Sequence, residues 1–250
     1  MVKTPGKNCF MNKQISITVT FLLIFLLAGA QVLKLDEILS KHYTAMGLEN
    51  LQKVNTITMT GTMIQNDAMP MKIFRMRPEN YLVESDVTDI TAYQGYDGHT
   101  AWWTTPWLGN PKPQLMPEDR AKDLRSKADF DGLLYNWKAK GHLVEFAGLD
   151  TIEKSLAYKL KVTKKDGSVE FLSIDTKTFL LVKRMYNRTV RGKDVVMEIF
   201  FRDYKSIHGI MFACTVDTHY GGQPYNSMQL DAIELDQLVD AKRFTMPSLR

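Results

Sequence analysis

Arg77 alternates in phase with Met71 and Ile73, so on an extended strand its guanidinium points to the same side as two apolar residues. An inward arginine needs a partner. At the mouth of an apolar cavity it could bury its methylenes and keep its head wet. Its planar fork would then bond a ligand ester or carboxylate, or a covering carbonyl, in a way that lysine cannot copy. The competing reading ends the strand at Pro78 and leaves Arg77 on a solvated rim. Methionine is the second feature. The chain has 14, with Met59, Met63, Met69, Met71 and Met76 in one hairpin region. A flexible, polarizable thioether suits a surface that accepts variable apolar ligands, and it equally fills an irregular core.

Other chemistry is missing its parts. The five histidines, His42, His99, His142, His208 and His219, include no pair at the i, i+4 spacing of a zinc protease. They read as surface or turn residues, so no metal and no cofactor are expected. There is no G-x-S-x-G elbow and no P-loop. Cys214 lies in phase with Ile210, Phe212 and Val216 and reads as a small core residue, without the partner that activates a thiolate. Asp36-Glu37 and Glu118-Asp119 stand at predicted helix starts, where the helix dipole favours acids. Asn187-Arg188-Thr189 matches a glycosylation sequon, a pattern common by chance. No catalytic set emerges, and an enzyme is not expected.

The 250 residues are 44% hydrophobic and 24% charged, enough for one sizeable core rather than a disordered chain. The net charge of +4 owes most to residues 1–30, which hold Lys3, Lys7 and Lys13 and no acid. Removing those three from the 32 basic residues leaves 29 against 28 acidic ones, so no nucleic-acid face is indicated. The same segment runs from basic residues through Phe21–Leu27 to Ala28-Gly29-Ala30, the layout of a secretory signal. Cleavage after Ala30 would leave residues 31–250, with Met1 or Met11 as the start. The alternative is an uncleaved anchor, since Gln14–Leu33 is uncharged and could barely span a bilayer. Cys9 leaves with a cleaved signal, which suits export to a bacterial periplasm with Cys214 as a lone thiol.

The elements that must position Arg77 and the methionines follow from periodicity. Leu35, Ile38, Leu39, His42, Tyr43 and Met46 form one helical face, ended by Gly47. Strands are predicted near 56–63, 70–77, 80–87, 90–95, 99–104, 156–163, 169–175, 179–188, 194–204, 210–219 and 226–235. A proline-rich loop and a helix occupy about 105–140, the helix N-capped by Asp129 with Phe130, Leu133, Leu134 and Trp137 on one face. Eleven strands at hairpin spacing make one antiparallel sheet. The threonine face of 56–63 and the lysine face of 156–163 should meet water. The opposite face is apolar, and the two helical segments are its expected lids.

With these motifs in place, the sequence resembles the bacterial outer-membrane lipoprotein-sorting carriers, the LolA/LolB-like superfamily. Four segments carry the resemblance: Arg77-Pro78-Glu79-Asn80-Tyr81, Asp97-Gly98-His99-Thr100-Ala101-Trp102, Ile174-Asp175-Thr176-Lys177-Thr178, and Phe201-Arg202-Asp203-Tyr204 with Gly209-Ile210. It covers residues 31–250. It implies a mainly β fold, a single unclosed antiparallel barrel of about eleven strands with helices over its apolar concave face. It also implies a periplasmic monomer that carries lipoprotein acyl chains or other lipids from an inner-membrane donor complex to an outer-membrane acceptor. Arg77 would match the family's functional arginine and Trp102 its hairpin tryptophan. The expected ligand-binding set is Met59, Met63, Ile73, Arg77, Trp102, Phe130, Leu134, Trp137 and Phe212. An envelope sensor or scaffold on the same fold is the alternative function.

Overall fold

Helix α1, Leu35–Met46, forms where the periodicity places it, with Asp36 and Glu37 in its first turn. It buries Ile38, Leu39 and His42. Gly47 ends it at φ 70, a left-handed conformation, and a Cβ there would lie 1.9 Å from the Gly209 carbonyl oxygen. Glycine therefore lets the chain turn tightly into α2, Leu48–Leu51, against a neighbouring strand turn. His42 departs from the surface role expected of the histidines. Its Nδ1 donates to the Phe179 carbonyl at 2.8 Å, and burial lowers its pKa more than that bond raises it.

The computed structural model describes residues 1–2, 33–87, 89–190 and 192–248. The predicted signal segment therefore lies almost wholly outside the described residues. Residues from Leu35 onward form one compact unit. Its strands are β1 Thr56–Ile64, β2 Ala68–Met76, β3 Asn80–Val87, β4 Ile90–Asp97, β5 Ala101–Thr105, β6 Asn110–Leu115, β7 Leu143–Ile152, β8 Ser155–Thr163, β9 Val169–Asp175, β10 Leu181–Val190, β11 Lys193–Ile207, β12 Ile210–Tyr220 and β13 Gln223–Leu235. They form one antiparallel sheet in the order β6-β5-β4-β3-β2-β1-β13-β12-β11-β10-β9-β8-β7. The β1–β13 pair joins the two ends of the chain, and β6 and β7 remain as edges.

The sheet thus has 13 strands among the described residues rather than eleven, and the two additions are its edges. Strand β6 contains Pro111 and Pro113, which break a sequence pattern but are tolerated on an edge. Strand β7 changes register between Phe146 and Leu149, which interrupts its alternation. The central helix also shifts. Helix α3 spans Glu118–Ala128, and Asp129 caps its end rather than starting a helix. Residues 129–141 form turns instead, because Gly132, Asn136 and Gly141 adopt positive φ.

The ladder register assigns the faces. Met59, Ile73, Val83, Gln94 and Trp103 share the inner face, the one that carries the helices. Thr58, Phe74, Leu82, Gly95 and Trp102 share the outer face. That outer face does not simply meet water. Thr56 and Thr58 are buried, and Phe74, Leu82 and Trp102 close around Phe244. The C-terminal segment covers this part of the sheet, a third lid that the strand patterns do not announce. A Cβ on Gly95 would lie 2.3 Å from the Trp102 indole, so glycine makes room for the ring to lie across β4.

Candidate ligand-binding site

The inner face has two unlike halves. Over β1–β5 it is a filled core. Met59, Ile73, Tyr81, Tyr96 and Ala101 pack with Phe130 and with Ala121, Leu124 and Ala128 of α3. Over β10–β13 Met197, Ile210, Cys214 and Leu230 are buried, but a strip of apolar residues among them is only half covered. Met63, Met228, Val216 and Phe201 are successive cross-strand partners, and each remains half-buried, as does nearby Phe212. The next row across the sheet is Thr218, Ile199 and Arg184. The row after that is Tyr220, Met197, Tyr186 and Glu170.

The predicted set divides along the same lines. Met59, Ile73 and Phe130 are core residues. Met63 and Phe212 are partly exposed against that core. Leu134 is buried in the 129–141 segment, and its carbonyl accepts a bond from the Tyr43 hydroxyl at 2.6 Å. Trp137 lies in the same segment, half-buried, with the Lys138 ammonium 5.0 Å from its ring centroid. Trp102 does not join them. It faces outward, and its Nε1 donates to the Phe244 carbonyl at 2.7 Å. Adjacent strand residues point to opposite faces, and it is Trp103 that looks inward. The outer face also holds a cleft of about 660 Å³ beside Trp102, lined by Tyr93, Pro111, Pro113 and Arg243.

Arg77 is neither a solvated rim residue nor free to grip a ligand with its whole fork. Its Nε donates to the Val54 carbonyl at 2.8 Å, and Nη2 donates to the Leu51 carbonyl at 2.9 Å. Nη1 and Nη2 also form a bidentate pair with Asp131 at 3.0 and 2.7 Å. The guanidinium lies 4.3 Å from the Phe130 ring centroid. Arg75 adds a bond from Nη2 to the Asp129 carbonyl at 2.8 Å. Arg75 of β2 and Arg77 just beyond its end thus clamp the start of the 129–141 cover.

This clamp has a pH signature. Burial pushes the Asp131 carboxyl up, but the Arg77 bonds and charge, with help from Gln52 and Lys140, bring it below the usual carboxylate range. A carboxyl depressed in the folded state adds stability that is complete above its unfolded value of about 4. That contribution disappears as pH falls through the lower folded value. Asp131→Asn should therefore melt lower than wild type at neutral pH, with the gap closing below about pH 4. Thermal melts from pH 7 to about pH 3 check this, and a constant gap would reject the clamp as its source.

Several functional-looking residues escaped the sequence reading. Glu170 is almost fully buried and pairs with Arg184 at 2.5 and 3.0 Å and with Lys164 at 2.8 Å. Burial raises the Glu170 pKa, yet Arg184 and then Lys164 hold it lower overall, so it stays ionised. Arg184 also donates to Ser126 at 2.8 Å, and Arg188 pairs with Asp123 at 3.0 Å. The available signal was the alternation of Arg184, Tyr186 and Arg188 along one strand, the same inward phase that drew attention to Arg77. Among the described residues no group of three His, Cys, Asp or Glu side chains could hold a metal ion. None of the described helices is long and apolar enough to cross a membrane.

The quoted sequence motifs resolve into turn chemistry. Asp97 accepts bonds from the His99 and Thr100 amides at 3.0 and 2.7 Å, setting the β4–β5 hairpin. Asp175 accepts from the Lys177 and Thr178 amides and the Thr178 hydroxyl, setting β9–β10. Neither a protein-family model nor a curated protein sequence matches the chain. Solved structures do. A DUF1329 family protein from Desulfovibrio piger is 12% identical, with TM-score 0.59, covering 83% of this chain and 97% of that one. A LolA superfamily protein from Nitrosomonas europaea is 16% identical, with TM-score 0.55, covering 85% and 98%. A domain described as an outer-membrane lipoprotein-sorting protein, from Vibrio parahaemolyticus, is 11% identical, with TM-score 0.55, covering 82% and 97%. The chain therefore has the fold of the LolA-like lipoprotein-sorting proteins, at sequence identities that carry the fold alone.

Proposed function

We propose that the protein is a periplasmic carrier that holds acyl chains of lipoproteins or other lipids on the inner face of its open sheet and moves them toward the outer membrane. One observation carries the reading. Met63, Phe201, Phe212, Val216 and Met228 form a half-covered apolar strip on the helix-bearing face of an unclosed sheet. Removing a 16-carbon chain from a bilayer into water costs on the order of 12 kcal/mol at about 0.8 kcal/mol per CH₂. A strip that replaces the lost apolar contact makes transit through water feasible. Methionine side chains adapt to chains of different shape, which favours exchange over permanent capture. In this reading residues 1–30 are the export signal and 31–250 the carrier domain, acting as a monomer between a donor and an acceptor membrane complex.

The test is uptake of a fluorescent 16-carbon fatty acid by wild type and by a Met63→Asp, Met228→Asp double variant. An unpaired charge on an apolar wall is costly to cover with a hydrocarbon chain. Wild type should bind saturably, and the double variant should lose about tenfold or more in affinity while keeping its circular dichroism spectrum. A folded double variant with unchanged affinity would remove this strip from the site.

A further inference from the structure

Arg184 and Arg188 stand four residues apart on β10, so both point inward, with about 13 Å between their positions along the strand. Their guanidinium groups are used differently. Arg184 presents its Nε–Nη2 edge to Glu170, which accepts both bonds side-on. Arg188 uses Nη1 for Asp123. Its own Nε and Nη2 are buried and find no acceptor among the described residues. The Arg188 side chain is only 12% exposed, so bulk water does not readily satisfy that edge. Buried guanidinium donors without acceptors are uncommon, and this edge is the geometry that grips a carboxylate or phosphate bidentately.

The surroundings favour an anion. Among the described residues Arg184, Arg188, Lys164 and Lys127 outnumber the carboxylates that face them, Glu170, Asp123 and Asp166. Lys127 is an exposed residue. Desolvation of its ammonium lowers its pKa first, Arg184, Arg188 and Arg120 add to the lowering, and Asp123 opposes it. The half-covered Ile199 is the cross-strand partner of Arg184 and continues toward the Val216–Met228 strip. An apolar surface therefore ends at a corner in which cations outnumber carboxylates.

We infer that the Nε–Nη2 edge of Arg188 binds the oxyanion headgroup, carboxylate or phosphate, of an amphiphile whose tail lies on the Ile199–Val216–Met228 strip. This rests on the acyl-binding reading and narrows it to anionic lipids. A neutral ester of the same chain length should bind less tightly, because it offers no charge-assisted bidentate acceptor. Arg188→Lys keeps the charge but loses the fork, so it should restore only part of the preference.

The experiment compares a fluorescent 16-carbon fatty acid with its methyl ester, and adds a lysophosphatidic acid and inorganic phosphate as competitors. Wild type should prefer the acid by about tenfold, the worth of one charge-assisted contact. Arg188→Gln should shrink that preference to within about twofold, with Arg188→Lys between the two. The lysophosphatidic acid should displace the fatty acid, and inorganic phosphate at equal concentration should not. Equal binding of acid and ester by wild type would overturn the headgroup site while leaving the acyl-binding reading intact. Displacement by inorganic phosphate as effective as by the lysophospholipid would overturn the amphiphile and leave a site for a free anion. Failure of both fluorescent probes to bind would overturn the acyl-binding reading and this inference with it. The wild-type acid-to-ester ratio decides the outcome even if Arg188→Gln fails to fold.

Discussion

Replacing Phe244 with alanine is expected to destabilise the protein by about 3–5 kcal/mol, the range for removing a buried phenylalanine. Phe244 is fully buried although it lies six residues from the end of the sequence and outside every strand. Its ring fills the outer-face cluster of Phe74, Leu82 and Trp102. Its carbonyl takes the Trp102 indole proton, so the same residue supplies both an apolar plug and a hydrogen-bond acceptor. Next to it, the Arg243 guanidinium lies 4.2 Å from the Phe74 ring centroid and pairs with Glu84 at 2.6 Å. Without the plug, the tail keeps the Arg243 contacts, the Thr56–Gln237 bond and the flanking Val239 and Met246, but Trp102 would gain an exposed face. At 2–4 °C per kcal/mol for a domain of this size, the melting temperature should fall by about 10 °C. Urea or thermal unfolding measures the loss. A change below about 1 kcal/mol would show that the tail is not docked there. The inner face is a separate surface, so fatty-acid affinity of the folded variant should stay within about twofold of wild type.

That cluster also shows where sequence reading stops. Period-two alternation located eleven strands, because each has enough β-branched and apolar residues to declare its pleat. It missed β6 and β7, whose prolines and bulge are features that edges tolerate and centres do not. Alternation says that Trp102 and Trp103 face opposite ways, but only the register against β4 says which one meets the helices. The threonines of β1 looked like a water-facing row because no pattern within a strand reveals a cover supplied 180 residues later. The helical spacing of Phe130, Leu133, Leu134 and Trp137 was real as numbers, and Gly132 at positive φ overruled it. Arg77 was legible as inward-pointing. Its partners were not, since Leu51, Val54 and Asp131 are brought to it by tertiary folding.

Those partners set the second large expected effect. Arg77→Leu should lower stability by about 3 kcal/mol, within the range for losing charge-assisted bonds after allowance for the pair's partial exposure. The substitution keeps an apolar stem against Phe130 but removes the donor to the Val54 carbonyl, takes one of two donors from the Leu51 carbonyl, which keeps the Val54 amide, and strips Asp131 of its bidentate partner, leaving it the Gln52 bond. Arg77→Lys should recover less than half of the loss, because one ammonium cannot reproduce a side-on pair while reaching two carbonyls on a different segment. A double-mutant cycle with Asp131→Asn separates the ion pair from the carbonyl bonds. The coupling should be at least about 1 kcal/mol, and the remainder belongs to Leu51 and Val54. If Arg77→Leu stays within about 0.5 kcal/mol of wild type, the bidentate pair behaves like a surface ion pair and the clamp on the 129–141 cover has no energetic weight. If the loss is large but Arg77→Lys restores it fully, charge alone matters and the fork geometry does not.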